Sequence, residues 1–91
     1  MIHLICYDIE SDKIRKKVAD RLLADGLERV QYSVFIGPLP TNLKIKLTDW
    51  LKEKMNADDC VHDSILIMQL QVRDAEKMTI LGQQDLDLEG L

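Results

Sequence analysis

The stretch Ile2-His-Leu-Ile-Cys-Tyr-Asp8 is a short run of strand-forming residues that ends in a carboxylate. It predicts a β-strand, because β-branched and aromatic side chains favour the pleated surface of a sheet. Successive side chains of a strand point to opposite faces. Both faces of this strand are apolar: Ile2, Leu4 and Cys6 share one face, and Ile5 and Tyr7 share the other. The strand is therefore expected to need cover on both sides.

A basic helix is predicted directly after this strand. Ser11 or Asp12 offers the N-cap, since short polar side chains accept hydrogen bonds from the first turn of a helix. Gly26 ends the helix, because glycine readily adopts the left-handed conformation of a C-cap. The apolar stripe, at helical spacing, consists of Ile14, Val18 and Leu22.

Residues 28–37 are strand-like throughout and predict two short strands that meet near Tyr32 and Ser33. Pro38 and Pro40 end the second strand, because proline cannot donate a hydrogen bond to a sheet.

A second helix is predicted from a cap at Thr41 or Asn42. Residues 64–72 predict a further strand, residues 73–77 a turn, and residues 78–82 one more short strand. The apolar stripe of the second helix consists of Leu43, Leu47, Trp50, Leu51 and Met55.

The predicted order of elements is β-α-β-β-α-β with an extra C-terminal strand. This order is typical of an α+β, ferredoxin-like sandwich with both helices on one face of an antiparallel sheet. Residues 1–82 are expected to form this single domain, and residues 83–91 a flexible acidic tail. Two helices leave the other sheet face open, which predicts a homodimer joined face to face. The alternative is that the C-terminal segment folds back over its own sheet.

Composition limits the classes of function. The chain has 91 residues, a net charge of −4 and two cysteines. The charge argues against a protein that coats nucleic acid by bulk attraction, although it allows a local basic surface. The absence of a long apolar run or a signal-like N-terminus predicts a protein without a membrane partner. Two cysteines are too few for a disulfide scaffold, which favours a cytoplasmic setting.

Asp8 is the strongest candidate for a functional residue, since it follows an apolar strand and precedes a loop. It offers an oxygen ligand to Mg²⁺, and two copies across a dimer axis would suit the ion better than one. Position alone favours an Asx turn or a helix cap instead. Basic residues of the first helix, with Arg29, suggest a phosphate-contacting surface, and a solvated helix face is the alternative. The residues of this surface are Lys13, Arg15, Lys16, Lys17 and Arg29.

Taken together, these residues resemble the CRISPR-associated protein 2 family. The resemblance rests on Tyr7-Asp8-Ile9, on Ser11-Asp12-Lys13-Ile14-Arg15, and on the run from Arg29 to Phe35 that follows Gly26. The Gln-Tyr-Ser-Val-Phe part of that run is the most specific element. The resemblance covers residues 1–82.

The resemblance implies a small homodimer that acts in CRISPR spacer acquisition. It implies that Asp8 binds Mg²⁺, with Mn²⁺ able to substitute, and that the catalytic set is completed by Tyr7, Arg15, Arg29 and Phe35. One implied function is a metal-dependent endonuclease acting on RNA or DNA. The alternative is a non-catalytic scaffold that holds duplex DNA and bridges dimers of the CRISPR integrase. The implied partners are thus a second copy, the integrase subunit, double-stranded DNA and single-stranded RNA.

The C-terminal strand is expected to add to the edge of the partner subunit's sheet, because an unpaired fifth strand would be an aggregation hazard. Residues 83–91 carry three leucines among acidic residues and are expected to dock on the integrase. A merely disordered end is the alternative.

Overall fold

Four strands and three α-helices follow one another in the computed structural model, which describes residues 1–56 and 60–82. The strands are β1 (Ile2–Asp8), β2 (Glu28–Gln31), β3 (Val34–Pro38) and β4 (Ser64–Leu70). The helices are α1 (Asp12–Ala24), α2 (Thr41–Met55) and α3 (Val72–Glu76). The predicted β-α-β-β-α-β order is present, and the chain is α+β.

The sheet has the order β2-β3-β1-β4, and all its neighbouring strands are antiparallel. The first strand of the sequence thus occupies an interior position of the sheet. It pairs with β3 from Ile2 opposite Pro38 to Cys6 opposite Val34. It pairs with β4 over its whole length, which leaves β4 as an edge strand.

Capping residues set the ends of α1. The Ser11 side chain accepts a hydrogen bond from the Ile14 amide, so Ser11 is the N-cap. Gly26 follows the helix with a φ of 93°, a left-handed conformation that glycine adopts without steric cost. The expected cap of α2 is wrong: Thr41 already belongs to the helix, and Pro40 stands at its N-cap without a side-chain hydrogen bond.

One core lies between the sheet and the helices α1 and α2. Its sheet side consists of alternate residues of the strands, among them Ile5, Tyr7 and Phe35, and its helix side includes Leu22 and Leu47. Ile5, Phe35, Leu22 and Leu47 are fully buried. The helical stripes predicted from the sequence therefore face the sheet as expected.

His3 is buried in the middle of the sheet with 1% of its surface exposed. Neither ring nitrogen has a hydrogen-bond partner among the described residues. Desolvation, followed by the nearby positive charge of Lys44, lowers the pKa of His3 below its ordinary value of 6.5. The imidazole is therefore packed in its neutral form at neutral pH.

The second face of the sheet is covered over only part of its area. A smaller core joins Ile2, Val30 and Ile36 to Ala75 of α3, with Met78 and Ile80 packed against it. On the same face, Leu66 and Met68 of β4 remain 51% and 46% exposed. The alternative in which the C-terminal segment folds back is thus realised for one part of this face.

Three expectations for the C-terminal region need correction. The turn expected at residues 73–77 is the short helix α3, whose capping box joins Gln71 and Asp74. The strand expected to reach residue 72 ends at Leu70, and residues 78–82 form no strand within the described chain. The expected tail, residues 83–91, lies outside the described residues. Among the residues that are described, no helix is long and apolar enough to span a bilayer.

Candidate functional site

Asp8 is the last residue of β1 and lies opposite Ser64 of β4. By strand alternation it shares the open sheet face with Leu4 and Cys6, which lie opposite Met68 and Leu66. Its side chain is exposed, and no hydrogen bond or ion pair joins it to another described residue. Asp8 is thus a free carboxylate at the end of a partly uncovered apolar face.

The loop after Asp8 is held in place by a contact with Asp63, a residue distant in sequence. The backbone amide of Glu10 donates a hydrogen bond of 2.9 Å to Oδ1 of Asp63, just before β4. The other oxygen of Asp63, Oδ2, is buried without a partner in the described part of the chain. Ile9 is 3% exposed and anchors the loop in the helix-side core. These contacts fix the backbone on which Asp8 stands.

Tyr7 and Phe35 lie on the opposite side of the sheet from Asp8. Both belong to the helix-side core, with 5% and 0% of their surfaces exposed. Their rings stack with centroids 6.1 Å apart. Both rings are therefore part of the core, and their expected place in the catalytic set stays a prediction.

Arg29 is exposed and contacts the buried aromatic pair through Phe35. Its guanidinium lies 4.9 Å from the centroid of Phe35 and 5.5 Å from that of Tyr32. Arg15 approaches Tyr32 as well, at 5.9 Å. The two arginines that the resemblance singled out therefore converge on one tyrosine.

Among the described residues, some basic side chains of α1 form ion pairs with acidic side chains, and others form none. Arg15 donates to the Ile9 carbonyl at 3.0 Å and forms an ion pair with Asp12. Lys16 pairs with Asp20 at 2.9 Å. Lys13 and Lys17 are exposed and form no ion pair with a described residue. The surface of α1 is thus less positive than its lysine and arginine content alone indicates.

The expected catalytic residues consequently form two groups. Asp8 lies on the open face, whereas Tyr7, Arg15, Arg29 and Phe35 lie on the helix side. Asp63 is not among the expected site residues. Tyr32, like Tyr7 and Phe35, is an aromatic residue that the sequence offers for stacking on bases, with packing in a strand as the more common role. Tyr32 had a signal, since it falls where two strands were expected to meet and turns are exposed. Asp63 had none, because its contact spans 53 positions of sequence.

The sequence pattern of the family described as CRISPR associated protein Cas2 matches residues 1–78. The chain belongs to the Cas2 family. The CRISPR-associated endoribonuclease Cas2 2 of Synechocystis sp. is 41% identical over 85 residues, which cover 91% of this chain and 86% of that relative. The resemblance inferred from Tyr7-Asp8-Ile9 and the Arg29–Phe35 run is therefore confirmed.

Two further comparisons concern the fold and a fused relative. The crystal structure of Streptococcus pyogenes Cas2 at pH 6.5 matches with a TM-score of 0.76 and 24% identity, covering 90% of this chain and all of that one. At this identity the likeness concerns the fold. A Cas1/Cas2 fusion protein of Thermoproteus tenax is 41% identical over 61 residues, which cover 64% of this chain and 23% of the fusion.

The donor set of this Cas2-family chain is compatible with Mg²⁺ at Asp8. The carboxylate is exposed and has no hydrogen-bond or ion-pair partner among residues 1–56 and 60–82, and Mg²⁺ is usually held by one or two carboxylates and several waters. No cluster of three acidic, histidine or cysteine side chains is present among the described residues. Burial raises the pKa of the Cys6 thiol on the same face, so Cys6 stays protonated and packs as a small apolar group.

Proposed function

We propose that this Cas2-family protein is a dimeric, metal-dependent endonuclease acting on nucleic-acid phosphodiesters in CRISPR adaptation. The observation that carries the proposal is the free, exposed carboxylate of Asp8 at the end of β1. The name of the Synechocystis sp. relative, an endoribonuclease, supports the same class of reaction.

The proposal assigns separate tasks to the two groups of residues. Asp8 holds Mg²⁺ or Mn²⁺, which when bound supplies positive charge for phosphodiester hydrolysis. Arg29 and Arg15 bind phosphate oxygens and offset their negative charge. Tyr7 and Phe35 support Arg29 from the core beneath it. Lys13 and Lys17 add positive charge along the bound strand.

The open sheet face supports the dimer. Leu66 and Met68 expose apolar surface on the face that ends at Asp8, and a second copy would cover it. Such a dimer would supply the second carboxylate that a magnesium site favours. Met68→Glu is expected to give monomers in light scattering, because it places a charge in the interface. Ile45→Glu on α2 is the matched control, since Ile45 is 55% exposed on the far side of the domain. Equal dimerisation of both variants would contradict this arrangement.

Cleavage assays test the activity. Labelled RNA and duplex DNA are incubated with the native protein, Asp8→Asn and Asp49→Asn, each with Mg²⁺, Mn²⁺ or EDTA. Asp8→Asn keeps the size of the side chain but removes the charge, so cleavage should fall to the EDTA background. Asp49→Asn removes an equally exposed carboxylate from α2 and should cleave normally. Undiminished cleavage by Asp8→Asn would overturn the assignment.

A scaffold that holds duplex DNA and bridges dimers of the CRISPR integrase is the second candidate. It is favoured by the lack of any cluster of three acidic, histidine or cysteine side chains among the described residues, and by the burial of Tyr7 and Phe35. A scaffold binds duplex DNA equally well as the native protein and as Asp8→Asn, and neither protein cleaves it. This outcome separates the two candidates in one experiment.

The fusion of Cas1 and Cas2 in Thermoproteus tenax supports a Cas1-type protein, the integrase, as the partner. We expect residues 83–91, acidic and with three leucines, to contribute to that contact. Deleting 83–91 should spare the dimer and weaken binding to the integrase. Deleting 77–91 should also weaken the dimer if residues 78–82, which form no strand within this chain, pair with the partner's sheet once the dimer forms. An unchanged dimer after the longer deletion would refute the strand exchange.

A further inference from the structure

Tyr32 occupies the tip of the turn between β2 and β3 and is 69% exposed. The backbone beneath its ring is held by Tyr7. The Tyr7 amide donates to the Ser33 carbonyl at 3.1 Å, and the Tyr7 hydroxyl donates to the Tyr32 carbonyl at 3.4 Å. A large aromatic ring is thus displayed to solvent from a turn that the core holds in place.

The ring borders an open groove of about 480 Å³ between α1 and β2. The guanidiniums of Arg29 and Arg15 lie 5.5 and 5.9 Å from its centroid, so positive charge lies beside an exposed aromatic surface. The volume falls in the range of small-ligand sites. The groove is lined by Asp12, Arg15, Lys16, Ala19, Asp20, Leu23, Arg29 and Tyr32.

The charges of the groove limit what it can bind. Asp12 and Asp20 form ion pairs with Arg15 and Lys16 and so offset part of their positive charge. Arg29 forms no ion pair with any described residue. One uncompensated cation is suited to a single phosphate, whereas the two carboxylates repel the closely spaced phosphates of a duplex. An exposed aromatic ring beside it is suited to the face of an unpaired base, because stacking accepts any base.

We propose that Tyr32 is a stacking platform for one unpaired base of single-stranded nucleic acid, with Arg29 binding the adjacent phosphate. This inference rests on the proposed function and deepens it, since it names the form of nucleic acid that the site accepts. Tyr7 is then a positioning residue for Tyr32, which gives this buried side chain a role on the helix side of the sheet.

The test compares two labelled probes that differ only in their bases: a short oligothymidylate and an abasic strand of the same length. Their affinities are measured by fluorescence anisotropy in EDTA, which prevents metal-dependent cleavage. Tyr32→Ala should weaken binding of oligothymidylate about tenfold, within the range known for the loss of one stacked base. The same variant should bind the abasic strand normally. Tyr32→Phe keeps the ring and should match the native protein.

Two further variants complete the experiment. Arg29→Gln should weaken both probes alike, because it removes a phosphate contact. Ile45→Ala changes an equally accessible apolar side chain on α2 and should have no effect. Thermal unfolding checks that Tyr32→Ala remains folded, as expected for a side chain that is 69% exposed.

The outcomes distinguish the stacking site from the proposed function. Equal binding of both probes by the native protein would overturn the stacking site and leave nucleic-acid binding intact. An equal loss for both probes in Tyr32→Ala, or tighter binding of a duplex than of oligothymidylate, would also overturn it. Binding of neither probe nor duplex would overturn both the site and the proposed function.

Discussion

Replacing Phe35 tests whether this buried ring acts through the fold or through chemistry. Phe35 is fully buried and stacks on Tyr7, and the centroid of its ring lies 4.9 Å from the Arg29 guanidinium. Phe35→Ala should lower the free energy of unfolding by about 3–5 kcal/mol, since it removes the buried ring and leaves a cavity. That loss is a large part of the ~5–15 kcal/mol that stabilises a typical domain. Phe35→Leu keeps most of the apolar volume and should cost only about 1–2 kcal/mol, mainly the ring contacts.

Urea unfolding at one fixed protein concentration measures both costs, because the apparent stability of the proposed dimer would depend on concentration. Cleavage is then measured on the fraction of each variant that is folded. If Phe35 acts only by packing, folded Phe35→Leu should cleave nearly as fast as the native protein. A stable Phe35→Leu variant that cannot cleave would refute this reasoning and give the ring a direct part in the reaction.

Three other changes have clear expectations. The pKa of His3 is lowered in the folded state, so the unfolded state takes up the proton first as pH falls through 6.5 and stability decreases. His3→Leu should therefore flatten the pH dependence of the unfolding free energy, measured with urea, between about pH 7.5 and 5.5. A single proton changes this free energy by at most ~1.4 kcal/mol per pH unit, and an unchanged dependence on pH in His3→Leu would contradict the reasoning. Gly26→Ala should lower stability in thermal unfolding by about 1–2 kcal/mol, because alanine is strained at a φ of 93°. The new Cβ would meet no neighbour, so this backbone strain is the whole cost, and a neutral result would mean that the turn relaxes. Asp63→Ala removes the acceptor of the Glu10 amide, so it should lower the free energy of unfolding by about 1.5–3 kcal/mol and reduce cleavage. Asp63→Asn keeps an acceptor oxygen and should lose less stability and less cleavage activity.

The sequence was sufficient to predict the elements that local patterns define. Strand β1 has the predicted bounds, and α1 begins at the predicted Ser11 cap. The C-terminal region was predicted less well. Residues 73–77 contain no long apolar stripe, and α3 is stabilised instead by a capping box and by burial of Ala75 against the sheet. Such tertiary contacts leave little trace in a short segment.

The candidate site was likewise predictable only in part. Asp8 was identifiable because a carboxylate is unusual at the end of an apolar strand, and Arg29 because it belongs to a specific run of residues. Their separation across the sheet was not predictable from the residue list. It follows from strand alternation and from the register that aligns Arg29 with Phe35. Tyr32 is prominent only once the turn places its ring 5.5 and 5.9 Å from the guanidiniums of Arg29 and Arg15.

The position of β1 inside the sheet has a consequence for how the protein is made. This strand leaves the ribosome before the other strands of the sheet, yet its partners on β4 extend from Ser64 to Leu70. The sheet is therefore incomplete until most of the described chain has been synthesised. Until then, a segment that is apolar on both faces is available to other nascent chains. Chains that terminate prematurely before β4 are expected to aggregate, and full-length synthesis benefits from chaperones that shield the N-terminus.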